Sequence, residues 1–182
     1  MIDETSTLED VCFAVAGALA AGNMTAVLTG GSAASVYAPN AYQSLDADFI
    51  LDGDEPLGDI VSALERIDFH RYGRSRIFTH TRSKFTVDFQ KGPLADGGDY
   101  VHERNTLRRG DQRLAILTPV DCIRDRLAHF FFWDDFTALG AAVAVARAHA
   151  NADDVERIRR WSERESTAFA TKFDEFTRRL AT

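Results

Sequence analysis

Three aspartates are the residues of this chain whose types and spacing are best suited to phosphoryl chemistry. Asp46 and Asp48 are one residue apart, so they project from the same face of any strand that contains them. Asp88 comes later, between the apolar residues Val87 and Phe89. Hard divalent cations take carboxylate oxygens as ligands and bind substrate phosphates at the same time. The three aspartates are therefore candidate metal ligands and candidate catalytic residues.

A turn made of Gly30, Gly31 and Ser32 follows the apolar run at residues 25–28. A strand that passes through such a turn into a helix aims backbone N–H groups and the positive helix end at an anion. Glycine allows a phosphate to approach the backbone closely, and Ser32 adds a hydroxyl. The same three residues are also a common way to begin a helix, so the turn alone is open to a purely structural reading.

Taken together, these residues resemble the signature of the DNA polymerase beta-like nucleotidyltransferase superfamily: Gly30-Gly31-Ser32, thirteen residues, Asp46-Ala47-Asp48 and later Asp88. The resemblance covers mainly residues 25–90, and within it the chain is similar to small prokaryotic members. These include aminoglycoside nucleotidyltransferases and AbiEii-like toxins of toxin–antitoxin systems.

The resemblance implies a nucleotidyltransferase fold, an NTP donor such as ATP, and Mg²⁺ or Mn²⁺. It implies transfer of an NMP to an acceptor hydroxyl on RNA, protein or a small molecule, and it admits a cognate antitoxin or toxin as a partner. The superfamily role of the aspartates is to bind the metal, with Asp88 near the acceptor hydroxyl. Gly30, Gly31 and Ser32 are expected to bind the nucleotide.

Two basic residues are weaker candidates for contacts with the nucleotide. Toxin members carry a lysine and an Asp-Arg segment after their carboxylates that help to hold it. In this chain Lys84 precedes Asp88, and the segment 124–126, which begins with Arg124, is only a loose counterpart. Lys84 and Arg124 are therefore candidate phosphate ligands, although exposed surface positions are the commoner place for such residues.

Hydrophobic periodicity predicts the elements that position these residues. The predicted strands cover residues 25–28, 45–51, 76–81 and 85–90; 93–98 is predicted as a loop, and the basic segment 104–113 is ambiguous. The predicted helices cover residues 7–21, 32–38 and 57–67, a segment from Thr118, another from residue 134 or 135 to 150, and 153–180. The fold class is therefore α/β, of the α+β type: a nucleotidyltransferase-like domain with a mixed sheet at residues 1–115, and a helical region at 116–182 packed on it.

Two helix starts carry clear capping patterns. Ser6 followed by Glu9 is a capping-box pattern for the first helix. Thr118 before Pro119 predicts an N-cap with proline in the first helical position. Cys12 and Cys122 fall on apolar helix faces without metal-ligand spacing, so both are expected to be reduced core residues.

Charge and composition limit the class of protein. The net charge of −7 combines −11 for residues 1–65, +5 for residues 66–113 and −1 for residues 114–182. An acidic first third suits cation binding and a basic middle suits nearby phosphates, although most of these charges are expected to belong to solvated faces. The acidic start lacks the basic region of a signal peptide, and no apolar run is long enough to span a membrane, so a cytoplasmic protein is expected.

Two other function classes stay open at this stage. The same fold could bind a nucleotide or a protein partner without catalysis, and the last helical segment could serve a helical interaction protein. The presence of Asp46, Asp48 and Asp88 favours an enzyme, because a binding module has no need to hold three carboxylates that repel one another.

Overall fold

The computed structural model of the chain describes residues 2–90, 92, 95–96, 99–101 and 103–182. The strands within these residues are Ala26–Leu28 (β1), Asp46–Leu51 (β2), Phe69–Arg71 (β3), Ile77–His80 (β4), Thr86–Gln90 (β5), Ala95–Asp96 (β6), Asp99–Tyr100 (β7), Arg104–Arg109 (β8) and Gln112–Leu117 (β9). The α-helices are Leu8–Ala20 (α1), Gly30–Tyr37 (α2), Leu57–Glu65 (α3), Pro119–Trp133 (α4), Phe136–His149 (α5), Ala152–Glu165 (α6) and Ala170–Ala181 (α7).

Seven of these strands form one mixed sheet in the order β3-β4-β5-β2-β1-β9-β8, and β6 pairs separately with β7. The pairs β2–β5 and β1–β9 are parallel, while the remaining neighbours are antiparallel. The strand that carries Asp46 and Asp48 therefore lies beside the strand that carries Asp88. β1 lies on the other side of β2 and leads directly into α2.

One face of β2 and β5 belongs to the core and the other carries the aspartates. Ala47, Phe49, Val87 and Phe89 are buried, as period-2 alternation predicts. The rings of Phe49 and Phe89 stack with their centroids 5.8 Å apart. Helix α1 packs against β2 and β9, and α3 packs against α1 and β3. The polar residues of β2 and β5 therefore face away from this core.

The helices after β9 pack on α2 and on one another. Both α4 and α5 pack against α2, α6 packs on α4, and α7 packs on α5. Thr118 caps α4 as predicted: its hydroxyl accepts a hydrogen bond from the Asp121 backbone N–H at 3.2 Å. The sheet itself runs to Leu117, and the predicted division into a sheet domain and a helical region stays a prediction.

Two predicted helical features are wrong. The capping box of α1 is formed by Thr7 and Asp10, because the Ser6 hydroxyl instead accepts a bond from the Asp3 backbone N–H at 3.0 Å. The helix predicted over 153–180 is broken: Ser166 is extended, a short 3-10 turn follows, and α7 begins at residue 170. The rings of Phe169 and Phe131 stack with their centroids 4.9 Å apart, so the residues at the break contribute to the packing of the helices.

The ambiguous basic segment forms strands. Residues 104–109 and 112–117 make the β8–β9 hairpin, whose outer strand is largely exposed, so it lacks the apolar alternation that would predict it. Strand β3 was also not predicted. Of the loop predicted at 93–98, residues 95–96 form β6 and the other positions lie outside the described residues.

Two further expectations concern cysteines and membranes. Cys12 and Cys122 are buried in the core as reduced cysteines, which confirms their predicted role. Across the part of the chain that the structure describes, no helix has both the length and the apolar character needed to cross a bilayer.

Candidate active site

The sheet register brings the predicted aspartates together. Asp48 of β2 lies directly beside Asp88 of β5, and Asp46 lies beside Thr86. The Thr86 hydroxyl donates a hydrogen bond to the Asp46 carboxylate, and the Gln90 side-chain amide donates one to Asp88 Oδ2 at 3.3 Å. Asp46 is exposed, whereas Asp48 and Asp88 are partly buried. The three carboxylates thus share the open face of two neighbouring parallel strands.

Hydrogen bonds join the glycine turn to the strand that carries Asp48. The Thr29 backbone N–H donates to the Asp48 carbonyl oxygen at 2.9 Å. The Asp48 backbone N–H donates to Ser32 Oγ at 3.0 Å, and this hydroxyl donates to the Thr29 carbonyl oxygen at 2.7 Å. Ser32 is fully buried. Its hydroxyl proton is therefore used within the turn, and its predicted contact with phosphate stays a prediction.

Gly30 and Gly31 are required by close approaches at the start of α2. Gly30 has φ +64°, and a Cβ atom there would lie 2.6 Å from Asp48 Oδ2. A Cβ atom on Gly31 would lie 2.8 Å from the Tyr42 hydroxyl oxygen. The absence of side chains at both positions lets the Asp48 carboxylate and the Tyr42 hydroxyl lie against the first turn of α2. Binding of nucleotide by these glycines stays a prediction.

The carboxylates are held in an environment that disfavours their charge. Burial raises the pKa of Asp48 to about 7, and the negative charges of Asp46 and Asp88 add to this effect while Arg126 opposes it. Burial also raises the pKa of Asp88, again with a contribution from Asp46. Carboxyl groups perturbed in this way gain stability from a nearby cation.

Arg126 belongs to the segment 124–126 that was compared with the Asp-Arg segment of the toxins, but the sequence analysis singled out Arg124 and not Arg126 as the candidate site residue. It lies on α4, is 8% exposed, and its Nε donates to Asp125 Oδ2 at 2.8 Å. Its positive charge opposes the effect of burial, which raises the pKa of both Asp48 and Tyr42. The sequence feature that predicts its burial is its spacing of four residues from Cys122, because residues four apart share a helix face and Cys122 was expected in the core. An arginine at such a position usually faces a partner of opposite charge.

Arg124 and Lys84 have other surroundings. Arg124 pairs with Asp121 at 3.1 Å, and its guanidinium lies over the Trp161 ring at 5.0 Å. Two residues along a helix point to nearly opposite sides, so Arg124 faces α6 while Arg126 faces the carboxylates. The Lys84 ammonium is exposed and lies 5.0 Å from the centroid of the Phe85 ring. The predicted roles of both residues in nucleotide binding stay predictions.

The carboxylates of the site are the candidate ligands for a metal ion. Among the described residues, no three or more His, Cys, Asp or Glu side chains are arranged to hold a metal ion. The chemistry of the donor set nevertheless fits a hard divalent cation: three carboxylates occupy neighbouring positions on two strands, and two of them have a raised pKa. A positive charge between them would relieve the repulsion.

Comparison with known proteins identifies the fold. No protein-family model matches the chain, and no curated protein matches it. The crystal structure of an antigenic nucleotidyltransferase-like protein from Paracoccidioides brasiliensis is similar, with a TM-score of 0.64, 12% identity and 94% of each chain covered. The solution structure of the antibiotic-resistance factor ANT(2'')-Ia is similar with a TM-score of 0.58 and 12% identity, over 89% of this chain and 94% of that one. The chain has a nucleotidyltransferase fold, which confirms the predicted fold class.

The close approach at Gly30 leads to a first prediction. We expect Gly30→Ala to weaken binding of a magnesium–NTP complex by about tenfold or more, because the new methyl group would displace the Asp48 carboxylate. Gly110→Ala is the matched control: Gly110 has φ +59°, but nothing lies within 4 Å of the added Cβ. Both variants should lose about 1 to 2 kcal/mol of stability from left-handed backbone. Calorimetry and urea unfolding would measure the two effects, and equal NTP binding by the two variants would contradict the assignment.

The raised pKa of Asp48 leads to a second prediction, for the protein without divalent cations. Because the folded-state pKa is about 7 against an ordinary value of 3.8, the folded state holds this proton more tightly than the unfolded state. Ionisation of Asp48 therefore lowers stability as the pH rises from about 4 to about 7. We expect Asp48→Asn to be more stable than the parent protein at pH 8, by on the order of 2 to 4 kcal/mol.

This stability gap should shrink as the pH falls toward 4, because Asp48 is protonated in the folded state there and begins to take up a proton in the unfolded state. Urea unfolding across this pH range would measure it, with Asp54→Asn as the control at an exposed turn position. A gap that is the same at pH 4 and pH 8 would show that the effect of the substitution does not come from the charge.

Proposed function

We propose that this protein is a metal-dependent nucleotidyltransferase that moves an NMP from an NTP to an acceptor hydroxyl. The observation that carries the proposal is the position of the Asp48 carboxylate. It lies beside Asp88 in the sheet register and against the first residue of α2. This places paired carboxylates next to a helix N-terminus, and the two features together suit an NTP with its metal ions.

The structural neighbours support the general reaction. One is described as nucleotidyltransferase-like and the other is the resistance factor ANT(2'')-Ia, and each aligns with most of this chain. Both similarities are at 12% identity, so the assignment of the activity depends on the site residues themselves.

The reaction joins the acceptor oxygen to the α-phosphorus of the NTP. The bond between that phosphorus and the oxygen bridging to the β-phosphate breaks, pyrophosphate leaves, and the acceptor hydroxyl loses its proton. Bound Mg²⁺ or Mn²⁺ would neutralise charge on the phosphates and make the acceptor oxygen a better nucleophile. The protein residues must hold the reactants in line, offset the phosphate charge and take up the proton.

Each of these tasks has a candidate residue. Asp46 and Asp48 would hold the metal ions, and the backbone at Gly30 and Gly31 would face the donor phosphates at the N-terminus of α2. Arg126 would add a fixed positive charge from α4. Its tie to Asp125 orients the guanidinium, and its burial strengthens its interaction with an anion.

Asp88 is the candidate for the acceptor side. Its raised pKa makes it a better proton acceptor than an ordinary aspartate, and it lies in register with Asp48, the proposed ligand of the donor's metal ions. We propose that Asp88 binds the acceptor-side ion and helps to take the proton from the hydroxyl. Loss of this group should affect the transition state more than the binding of the donor.

Asp88 therefore provides the test of the proposal. With NTPs labelled at the α-phosphate, and total RNA, protein or small-molecule extracts as acceptors, the parent protein should transfer label to one of these fractions. We expect Asp88→Asn to slow transfer by about 10² to 10⁴-fold, the usual contribution of a general base, while NTP affinity changes little. Asp54→Asn should transfer label like the parent protein.

Two other outcomes would change the proposal. If the parent protein binds NTP but labels no fraction, the protein is a nucleotide-binding module rather than an enzyme. If Asp88→Asn transfers at the full rate, Asp88 is structural. A role in a toxin–antitoxin pair depends on the sequence resemblance alone and stays a prediction, which copurification with proteins of the source cell would test.

A further inference from the structure

Trp133 is an exposed aromatic residue on the helix that carries Arg126. Its side chain is 69% exposed at the last position of α4, whereas Trp161, the other tryptophan of the chain, is 2% exposed. The Trp133 ring touches the rings of His129 and Phe132, with centroids 5.1 and 5.9 Å away. An indole is a large apolar surface, and leaving it in water forgoes the stabilisation that burial of an aromatic side chain gives.

Trp133 belongs to the same stripe of α4 as Arg126. Residues 122, 126, 129 and 133 follow each other at spacings of four, three and four, so they share one helix face. Cys122 is buried at one end of the stripe and Trp133 is exposed at the other. His129 lies between Arg126 and Trp133 on this face. Its ring contacts the Trp133 ring, and the charge of Arg126 adds to the effect of burial in lowering the pKa of His129.

The charged groups around this stripe show which end faces the carboxylates. Arg126 lies close enough to Asp48 and Tyr42 for its charge to oppose the rise that burial causes in their pKa values. Asp125 and Asp135 lie close enough to His129 for their charges to oppose the fall in its pKa. The Asp135 carboxylate is already used to cap α5, through bonds to the backbone N–H groups of residues 137 and 138 at 2.9 and 3.0 Å. The stripe thus runs from a buried, charged environment at Arg126 to an exposed, aromatic one at Trp133.

The distance along this stripe fits a nucleotide. Arg126 and Trp133 are two helical turns apart, a rise of about 10 Å. An extended nucleoside triphosphate separates its charged phosphates from its planar base by a length of that order. A ligand with phosphates at Arg126 would therefore bring its base close to the Trp133 indole.

We propose that Trp133, supported by His129, is the stacking platform for the base of the NTP donor. This inference rests on the proposed function, because it takes the phosphates to lie beside Asp48 and Arg126. Stacking uses the π face that every base has, so the platform would strengthen the binding of all NTPs without selecting strongly among them. Choice of the base would have to come from groups at its edge.

The two tryptophans make the test direct. Because Trp161 is buried, iodide should quench mainly Trp133 in the parent protein. We expect saturating magnesium–NTP to quench the tryptophan emission and to protect it from iodide, with the same Kd as calorimetry gives. Inorganic tripolyphosphate, which has no base, should do neither. The Trp133→Phe variant, which keeps only Trp161, should show no change on addition of NTP.

Affinity measurements provide an independent readout. Trp133→Ala should raise the Kd for each NTP by about 5- to 150-fold, the range for loss of one base–aromatic stack, while the Kd for tripolyphosphate stays unchanged. Trp133→Phe should recover part of the lost affinity. Tyr72→Ala is the matched control, since Tyr72 is 68% exposed at the β3–β4 connection and should bind NTP like the parent protein.

The outcomes separate this inference from the proposed function. If the parent protein binds NTP by calorimetry but Trp133 emission and the Trp133→Ala affinity do not respond, the platform is elsewhere and the proposed function stands. If Trp133→Ala weakens tripolyphosphate as much as NTP, the residue supports α4 rather than the base. If the parent protein binds no NTP at all, both proposals are wrong.

Discussion

The contact between the Gly30 backbone and the Asp48 carboxylate is the constraint on which the rest of the site depends. It requires a left-handed residue without a side chain at the first position of α2, and it requires β1 and β2 to be antiparallel neighbours. The bonds among Thr29, Ser32 and Asp48 hold this geometry from the buried side. The start of α2 and the Asp48 carboxylate therefore lie side by side, and the proposed binding of a metal-bound triphosphate rests on this arrangement.

The same contact has an electrostatic cost. A partly buried aspartate beside two others is a poor arrangement for an isolated protein, as the pKa of Asp48 near 7 indicates. Arg126 offsets part of this cost from α4, which belongs to the helical half of the chain. The helical half therefore completes the electrostatics of the site in addition to packing against the sheet. Such tension between stability and charge is common where a protein must bind an ion of opposite sign.

The parts that could be predicted from the sequence are those with local signals. Alternation in β2 and β5, the glycine turn and the Thr118–Pro119 start each reflect backbone geometry within a few residues. Parallel pairing of β2 with β5, which makes Asp48 and Asp88 neighbours, follows from strand order, and periodicity alone does not determine strand order. The expectation that these aspartates share one site came from the superfamily resemblance.

The parts that were missed depend on distant packing. Arg126 comes near Asp48 only when α4 packs against α2, and Arg124, two residues earlier, looks equivalent in the sequence although it faces α6. The break at Ser166 lies inside a continuous amphipathic pattern, and the ring of Phe169 on Phe131 stabilises it. The β8–β9 hairpin has an exposed, basic outer strand, so its alternation is masked by charge.

The site as proposed requires the Asp48 carboxylate, held against the start of α2, to bind a divalent cation together with nucleotide. Titration of Mn²⁺ in the presence of a non-hydrolysable NTP, followed by electron paramagnetic resonance, measures this most directly. We expect saturable Mn²⁺ binding that requires the nucleotide, that Asp48→Ala abolishes, and that Asp54→Ala leaves intact. Equal Mn²⁺ binding by the parent protein and Asp48→Ala would contradict it.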